Sequence, residues 1–485
     1  MENISELKTK GLKSSAWNFL NLIVNQVRNF IVTLVLARLL TPADFGLVSM
    51  AMVLNAILDF FVDFGFSSAI IRKNKIDESE TSTVFWFNLI IGSACTILVF
   101  FSAPAFSWFY EMPQLEDVVH ITSWSFLISS FGTLQTALFQ RALNFRAPFI
   151  ARLISGITSG ILGIVLALCG FGVWALVFSN LTGWILYSVF IWLMSSWRPI
   201  LVFQPRKVAD MISFGWKMTL STLVNRIFRQ MDSLIIGKLY SAASLGLFNR
   251  AQSLNNLVID YSFSSIRSVM LPSLSKLQDD NEALKYSVLK LLHVISFLTF
   301  LFSGLMYICA DDLILLLYGP QWIGTIEIFQ ILGLFSISLC LPVVFDTVMT
   351  VANKMNMYLW SSILRSGMLI FAIPVGLFYG FMAYVWAISI IGIIKLVPTL
   401  FTTRSCIGLP ILSQLNAILR YMLPFGLALL IWHFIQFQTD YHIFNIILKT
   451  LFFGIFYIGS NLIMRNDGLN TCKSLIIGII NRKKR

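Results

Sequence analysis

The sequence predicts an all-α polytopic membrane protein: about fourteen transmembrane helices, set as two pseudo-symmetric six-helix lobes plus two extra C-terminal helices. Three observations predict it. The 485 residues are 57% hydrophobic and only 12% charged, against about 25% charged in soluble domains. The chain matches itself at an offset of 200 residues. Its basic residues collect on alternate sides of the apolar stretches.

A helix crosses the apolar core of a bilayer in about 20 residues. Fourteen such stretches can be read: 17–37, 46–70, 83–108, 118–139, 150–168, 172–194, 214–236, 246–269, 287–309, 324–350, 357–378, 381–402, 420–437 and 443–464. The first 16 residues are polar and carry Lys8, Lys10 and Lys13. No small-residue cleavage site closes a short apolar core, so a retained first helix is expected rather than a cleaved signal peptide. With the N-terminus inside, 27 of the 35 Lys and Arg fall in cytoplasmic segments, six lie within spans, and only Arg38 and Lys238 lie outside. Positive charge is retained on the cytoplasmic side. That asymmetry fixes the orientation, supports an even number of crossings, and accounts for the net charge of +12 without nucleic acid.

The repeat divides the chain. Shifted by 200, residues 220–268 meet 20–68 without a gap at 12 identities in 49 positions, among them Asn25/Asn225, Gly46/Gly246 and Asn55/Asn255. Internal symmetry of this kind marks transporters built from two lobes, with the substrate site at the repeat interface. The expected organisation is an N-lobe over 1–198, a cytoplasmic linker over 199–213, a C-lobe over 214–402, an appended helix pair over 403–464, and a basic cytoplasmic tail over 465–485. Leu475 to Ile480 followed by Arg482, Lys483, Lys484 and Arg485 suits a tail lying on an anionic inner leaflet. A disordered basic end is the alternative.

Polar residues interrupt the spans in register. Asn225, Arg229 and Asp232 recur at i, i+4, i+7, as do Asn249, Gln252, Asn256 and Asp260, and each set lies on one helix face. Asn18, Asn21, Asn25 and either Arg28 or Asn29 form a like stripe in the first span. A charge at the centre of a membrane helix costs about 2.5–3.5 kcal/mol on insertion scales, so such residues face a cavity or a partner. The six cysteines lack the spacing of a disulfide or metal framework. Neither a metal nor a cofactor is expected.

The run LARLLTPADFGLVSMA (36–51), the two-lobe repeat and the twelve-plus-two helices resemble one family, the bacterial polysaccharide-transport flippases. These are the Wzx-type O-antigen and capsule translocases, and the likeness is to their colanic-acid exporter branch. They share a superfamily with the lipid II flippase and the multidrug MATE exporters. The resemblance spans nearly the whole chain and implies a multi-pass protein of the bacterial cytoplasmic membrane with both termini inside. It implies alternating access that carries an undecaprenyl-diphosphate-linked oligosaccharide to the outer leaflet, working with the polysaccharide polymerase machinery.

Arginine suits such a cargo because its planar fork donates paired hydrogen bonds to phosphate and stays charged. Arg28, Arg226, Arg229 and Arg250, with Asn25 and Asn225, are therefore the expected diphosphate-binding residues. Two bland alternatives stand beside them. Arg229 and Asp232, three residues apart on one helix, neutralise each other, or Arg250, near the outside turn, snorkels to the headgroups. Asp59, Asp63, Asp232 and Asp260 are candidates to carry a coupling proton or sodium ion, or else serve as counterions to the arginines.

Two other classes compete. A drug/cation antiporter of the same superfamily calls for an anionic cavity rather than an arginine-lined one. A membrane glycosyltransferase or polymerase needs acid–base groups on a sizeable external segment. Segments 104–118 and 309–324 offer Glu111, Glu116, Asp117, Asp311 and Asp312 but no His, and no nucleotide loop or HExxH pattern occurs. No catalytic residue is expected.

Overall fold

The LLTPADFGL motif folds as a helix–turn–helix. Helix α1 (Ile4–Leu39) stops before Thr41, and α2 (Pro42–Asp63) starts on Pro42. Proline suits the first helical position because its missing N–H has no partner there anyway. Thr41 and Asp44 cap each other: Thr41 N and Oγ1 donate to Asp44 Oδ2 at 2.9 and 2.7 Å, and Asp44 N donates to Thr41 Oγ1 at 3.3 Å. The computed structural model describes residues 4–63, 65–73, 76–435, 439–468 and 471, without the side chains of 4–16, 18, 19, 22, 60, 210, 212–225 and 260–269.

The remaining elements follow as α3 (Phe66–Arg72), α4 (Glu78–Tyr110), α5 (Gln114–Arg141), α6 (Arg146–Leu168), α7 (Val173–Met194), α8 (Ala209–Leu239) and α9 (Ala242–Ser275). The second half adds α10 (Asn281–Ile308), α11 (Ala310–Leu317), α12 (Gly324–Leu334), α13 (Ile337–Val351), α14 (Met355–Gly367), α15 (Ala372–Tyr379) and α16 (Phe381–Ile394). The chain closes with α17 (Leu396–Ile407), α18 (Ile411–Leu419), α19 (Met422–Ile435) and α20 (His442–Ile463). The fold is all-α, and each of the fourteen expected stretches coincides with one of these helices or a broken pair of them. Among the described residues, ten helical segments are long and apolar enough to cross a membrane. The expected spans 17–37, 118–139, 214–236 and 246–269 lie in α1, α5, α8 and α9, and three of these carry the polar stripes.

The chain divides into two compact units, Met1–Gly246 and Leu247–Arg485. In the first, α5 packs on α4, α7 and α2, while α6 pairs with α7 and α1. The expected C-lobe opens at 214, and the division into compact units falls after Gly246, with α8 packed on α2 and α3. The connector after α7 is docked rather than loose. Ile200 N donates to Ser82 Oγ at 3.1 Å, Gln204 N to Thr83 Oγ1 at 3.1 Å, and Trp86 Nε1 to the Ile200 carbonyl at 3.0 Å. Asp77 caps α4 with a reciprocal bond from Glu80, and its Ser79 and Lys207 hydrogen bonds hold its carboxyl below the ordinary carboxylate range.

In the second unit α10 is the central post, packed by α12, α13, α18, α19 and α20. Its buried residues, such as Val288, Leu292 and Ile295, join Leu341, Val344 and Phe345 of α13 and Phe453 and Tyr457 of α20 in one core. Gly304 lets Phe453 lie directly on the α10 backbone, where a Cβ would collide with its ring.

Candidate functional site

Cations gather at two helix seams of the first unit. At the α1–α6 seam the Arg28 guanidinium lies over Gly156, so closely that a Cβ there would occupy the same space. Its Nη1 donates to the Arg152 carbonyl at 2.5 Å, and its Nε and Nη2 donate to Asn29 Oδ1 at 3.3 and 2.7 Å. The Arg152 guanidinium stands near enough to repel that of Arg28, and its other face lies 5.5 Å from the Tyr187 ring centroid. Two like charges held side by side create a demand for an anion. One turn before Arg28, Asn25 Nδ2 donates to the Asn21 carbonyl at 2.7 Å and touches Asn21 Oδ1.

The second seam joins α2 and α8. Arg226 Nη1 donates to the Ala56 carbonyl at 3.1 Å, and the Arg226 charge acts on the Asp59 carboxylate one turn along. Asp59 is exposed, whereas Asp63 is occupied: its Oδ1 accepts from Ser67 N at 3.1 Å and Ser67 Oγ at 2.5 Å, at the start of α3. One turn before Asp59, the buried Asn55 donates to the Thr122 carbonyl at 3.2 Å and Ser125 Oγ at 3.1 Å, tying α2 to α5. Arg229 is exposed.

Arg250 belongs to the second unit. It is inserted beside Tyr318, to whose hydroxyl it donates a hydrogen bond. The side chains of Asn225 and Asp260 lie outside the described residues. The structure thus brings Arg226 to Asp59 and Arg28 to Arg152. Arg152 escapes a sequence reading because it falls at the first turns of a span, where a basic residue reads as a topology signal. The i, i+3 or i+4 spacing that marks stripes within one helix cannot show a pairing across two.

The other charged constellation is in the second unit. Lys449 of α20, 3% exposed, places Nζ 3.1 Å from both oxygens of Asp311 and 2.5 Å from Asp312 Oδ2. Asp312, 1% exposed, also accepts from Asn445 at 3.0 Å and faces His442 Nδ1 at 2.8 Å. Burial alone would raise the Asp312 carboxyl, but the hydrogen bonds from Lys449, Asn445 and His442 prevail and hold it below the ordinary range. A lysine buried in a span is thus neutralised by the acidic pair of α11.

The sequence matches the model of a family described as "Polysaccharide biosynthesis protein" over residues 35–327. Among curated proteins it is 25% identical over 334 residues to the lipopolysaccharide biosynthesis protein WzxC of Escherichia coli K12, covering 67% of each chain. It is 24% identical over 391 residues to the teichuronic acid biosynthesis protein TuaB of Bacillus subtilis, covering 77% of this chain and 80% of that one. A protein described only as a membrane protein of a cps region in Klebsiella pneumoniae is 28% identical over 336 residues, covering 67% and 68%. Among solved structures, the lipid II flippase MurJ in an inward closed conformation superposes with a TM-score of 0.71 at 19% identity, over 94% of this chain and 99% of that one. An inward-facing MATE multidrug transporter gives 0.63 at 14% identity, over 79% and 94%. At these identities the two likenesses show a shared fold.

Proposed function

The chain belongs to the polysaccharide biosynthesis protein family, and from that premise we propose that it is a flippase for undecaprenyl-diphosphate-linked oligosaccharide. It carries the lipid-linked unit from the inner to the outer leaflet of the bacterial cytoplasmic membrane by alternating access, for surface polysaccharide synthesis. The chain is a multi-pass membrane protein, and the positive-inside asymmetry of its loops supports cytoplasmic termini. The fold shared with a lipid II flippase and the biosynthetic relatives support the cargo class.

The observation that carries the reading is the set of guanidinium groups lodged within long helices. Arg28 and Arg226 stand well inside α1 and α8, each with a guanidinium nitrogen on a backbone carbonyl. Carbonyl anchoring fixes the orientation of a planar fork suited to phosphate oxygens. With Arg152 beside Arg28, and Arg229 exposed on α8, the first unit offers a diphosphate several donors in water-poor surroundings. Asn25 and Asn225 complete the proposed polar lining of the first unit, and Arg250 is a separate proposed diphosphate contact within the second. Asp59 is the proposed coupling group for a proton or sodium ion, since Asp63 is engaged by Ser67 and Asp59 is exposed under the influence of Arg226. Asp232 and Asp260 are secondary candidates. On this reading the protein moves its substrate unchanged and is not an enzyme; the polymerase machinery receives the product.

Deleting the gene tests the reading. Lipid-linked units should accumulate on the inner leaflet while sugar transfer onto the carrier continues. Loss of sugar assembly on the carrier would instead make the protein part of synthesis.

A further inference from the structure

The second unit contains a cavity of about 760 Å³ framed by α10, α11, α12, α16, α19 and α20, within the roughly 300–1,000 Å³ of small-molecule sites. Its wall is mixed. Tyr307, Trp386 and Trp432 line it with aromatic rings, and Asp311, Glu327 and Gln330 with polar groups. We propose that this cavity is a saccharide site, which takes an uncharged, hydroxyl-rich sugar chain by stacking on Trp386 and hydrogen bonding to the carboxylates and amide.

The apolar C–H face of a pyranose ring matches an aromatic plane, while its equatorial hydroxyls need acceptors in the ring plane. Trp386, 41% exposed, is braced edge-on by Phe335 with ring centroids 5.9 Å apart. Trp432 is held by Phe452 at 5.7 Å and by Lys449 Nζ, 5.6 Å from its ring centroid. Gln330 Nε2 donates to the Tyr307 carbonyl at 3.4 Å, which leaves its amide oxygen as an acceptor.

Three other occupants fit less well. A diphosphate meets Asp311 and Glu327, with Lys449 already shared between Asp311 and Asp312. An organic cation would seek the face of Trp432, but Lys449 holds that position. A lipid tail would strand the polar wall without partners. The site deepens the flippase reading and rests on it, since it assigns the sugar part of the proposed cargo to the second unit.

The test uses the full chain in nanodiscs and, as probe, the neutral oligosaccharide freed from its lipid diphosphate by mild acid and phosphatase. Calorimetry should show binding that Trp386→Ala weakens by about tenfold or more, that Trp386→Tyr retains, and that excess inorganic diphosphate leaves unchanged. Binding unaffected by Trp386→Ala, or displaced by diphosphate, overturns the proposal. So does Trp386-dependent binding of tetraphenylphosphonium in place of the sugar. If the free sugar fails to bind while the lipid-linked unit binds and diphosphate displaces it, the cavity assignment falls and the flippase reading stands. If neither binds, both fall.

Discussion

Gly46 and Gly246, 200 residues apart, make the same contact in the two repeats: each lays its bare Cα against a backbone carbonyl of the other repeat's turn. A Cβ on Gly46 would strike the carbonyl of Ala242, and one on Gly246 would strike that of Pro42. The obstructing atoms are main chain and cannot rotate away. Gly46→Ala or Gly246→Ala should therefore destabilise the protein by roughly 1–3 kcal/mol, read as a lower unfolding midpoint in detergent. Gly454→Ala, in open space, is the control and should leave the midpoint unchanged. Equal midpoints for all three variants would remove the close approach.

The arginines separate function from fold. Removing a guanidinium from a span also removes its insertion cost, so Arg28→Ala and Arg226→Ala should reach the membrane at near-normal level. Export should fall by about tenfold to a hundredfold for each, the worth of a charge-assisted hydrogen bond. Lys at either position should keep part of the activity, because a point charge attracts phosphate without gripping it bidentately. Full export by Arg226→Ala, measured as surface polysaccharide per unit of membrane protein, would count Arg226 out.

Arg229 gives a sharper case. Arg229 is exposed, and as a proposed diphosphate-binding residue its loss in Arg229→Ala should lower export without lowering protein level. A fall in level that Asp232→Asn then repairs would show a structural pair after all.

Lys449 should act on stability. Lys449→Met strands Asp312 in a buried site and should cost about 3–5 kcal/mol, with Asp312→Asn added to it restoring much of the loss. The Asp312 carboxyl lies below its ordinary value in the folded protein, so its contribution is complete above the unfolded carboxyl range and is lost as pH falls through the folded value. The advantage of the native protein over Asp312→Asn should thus be largest near neutral pH and shrink below about pH 4. An advantage that stays constant down to pH 3 in the thermal midpoint would contradict the pairing.

Much of the fold is legible in the sequence because membrane spans announce themselves by length and apolarity, and because Thr41, Pro42 and Asp44 encode their turn locally. The repeat is legible because Gly46 and Gly246 have no substitute where carbonyls approach. The site is legible only helix by helix. Spacing along α1 or α8 places Arg28 and Arg226 on a face, but their partners, the Arg152 and Ala56 carbonyls, belong to other helices. Asp63 looks like Asp59 in sequence, yet only the structure shows Ser67 engaging it. Lys449 reads as an anomaly in an apolar span until Asp311 and Asp312, some 140 residues earlier, close around it.

The most direct measurement of the central claim is transbilayer movement by the purified protein. Proteoliposomes carrying lipid-linked oligosaccharide are exposed to a glycosidase that attacks only the outward-facing sugar. About half of the substrate should be protected in protein-free vesicles, since a bilayer has two leaflets of similar area. The native protein should render nearly all of it cleavable, and Arg226→Ala should leave protection near the protein-free value. Protection unchanged by the native protein, with the vesicles sealed and the protein folded, would contradict the flippase account.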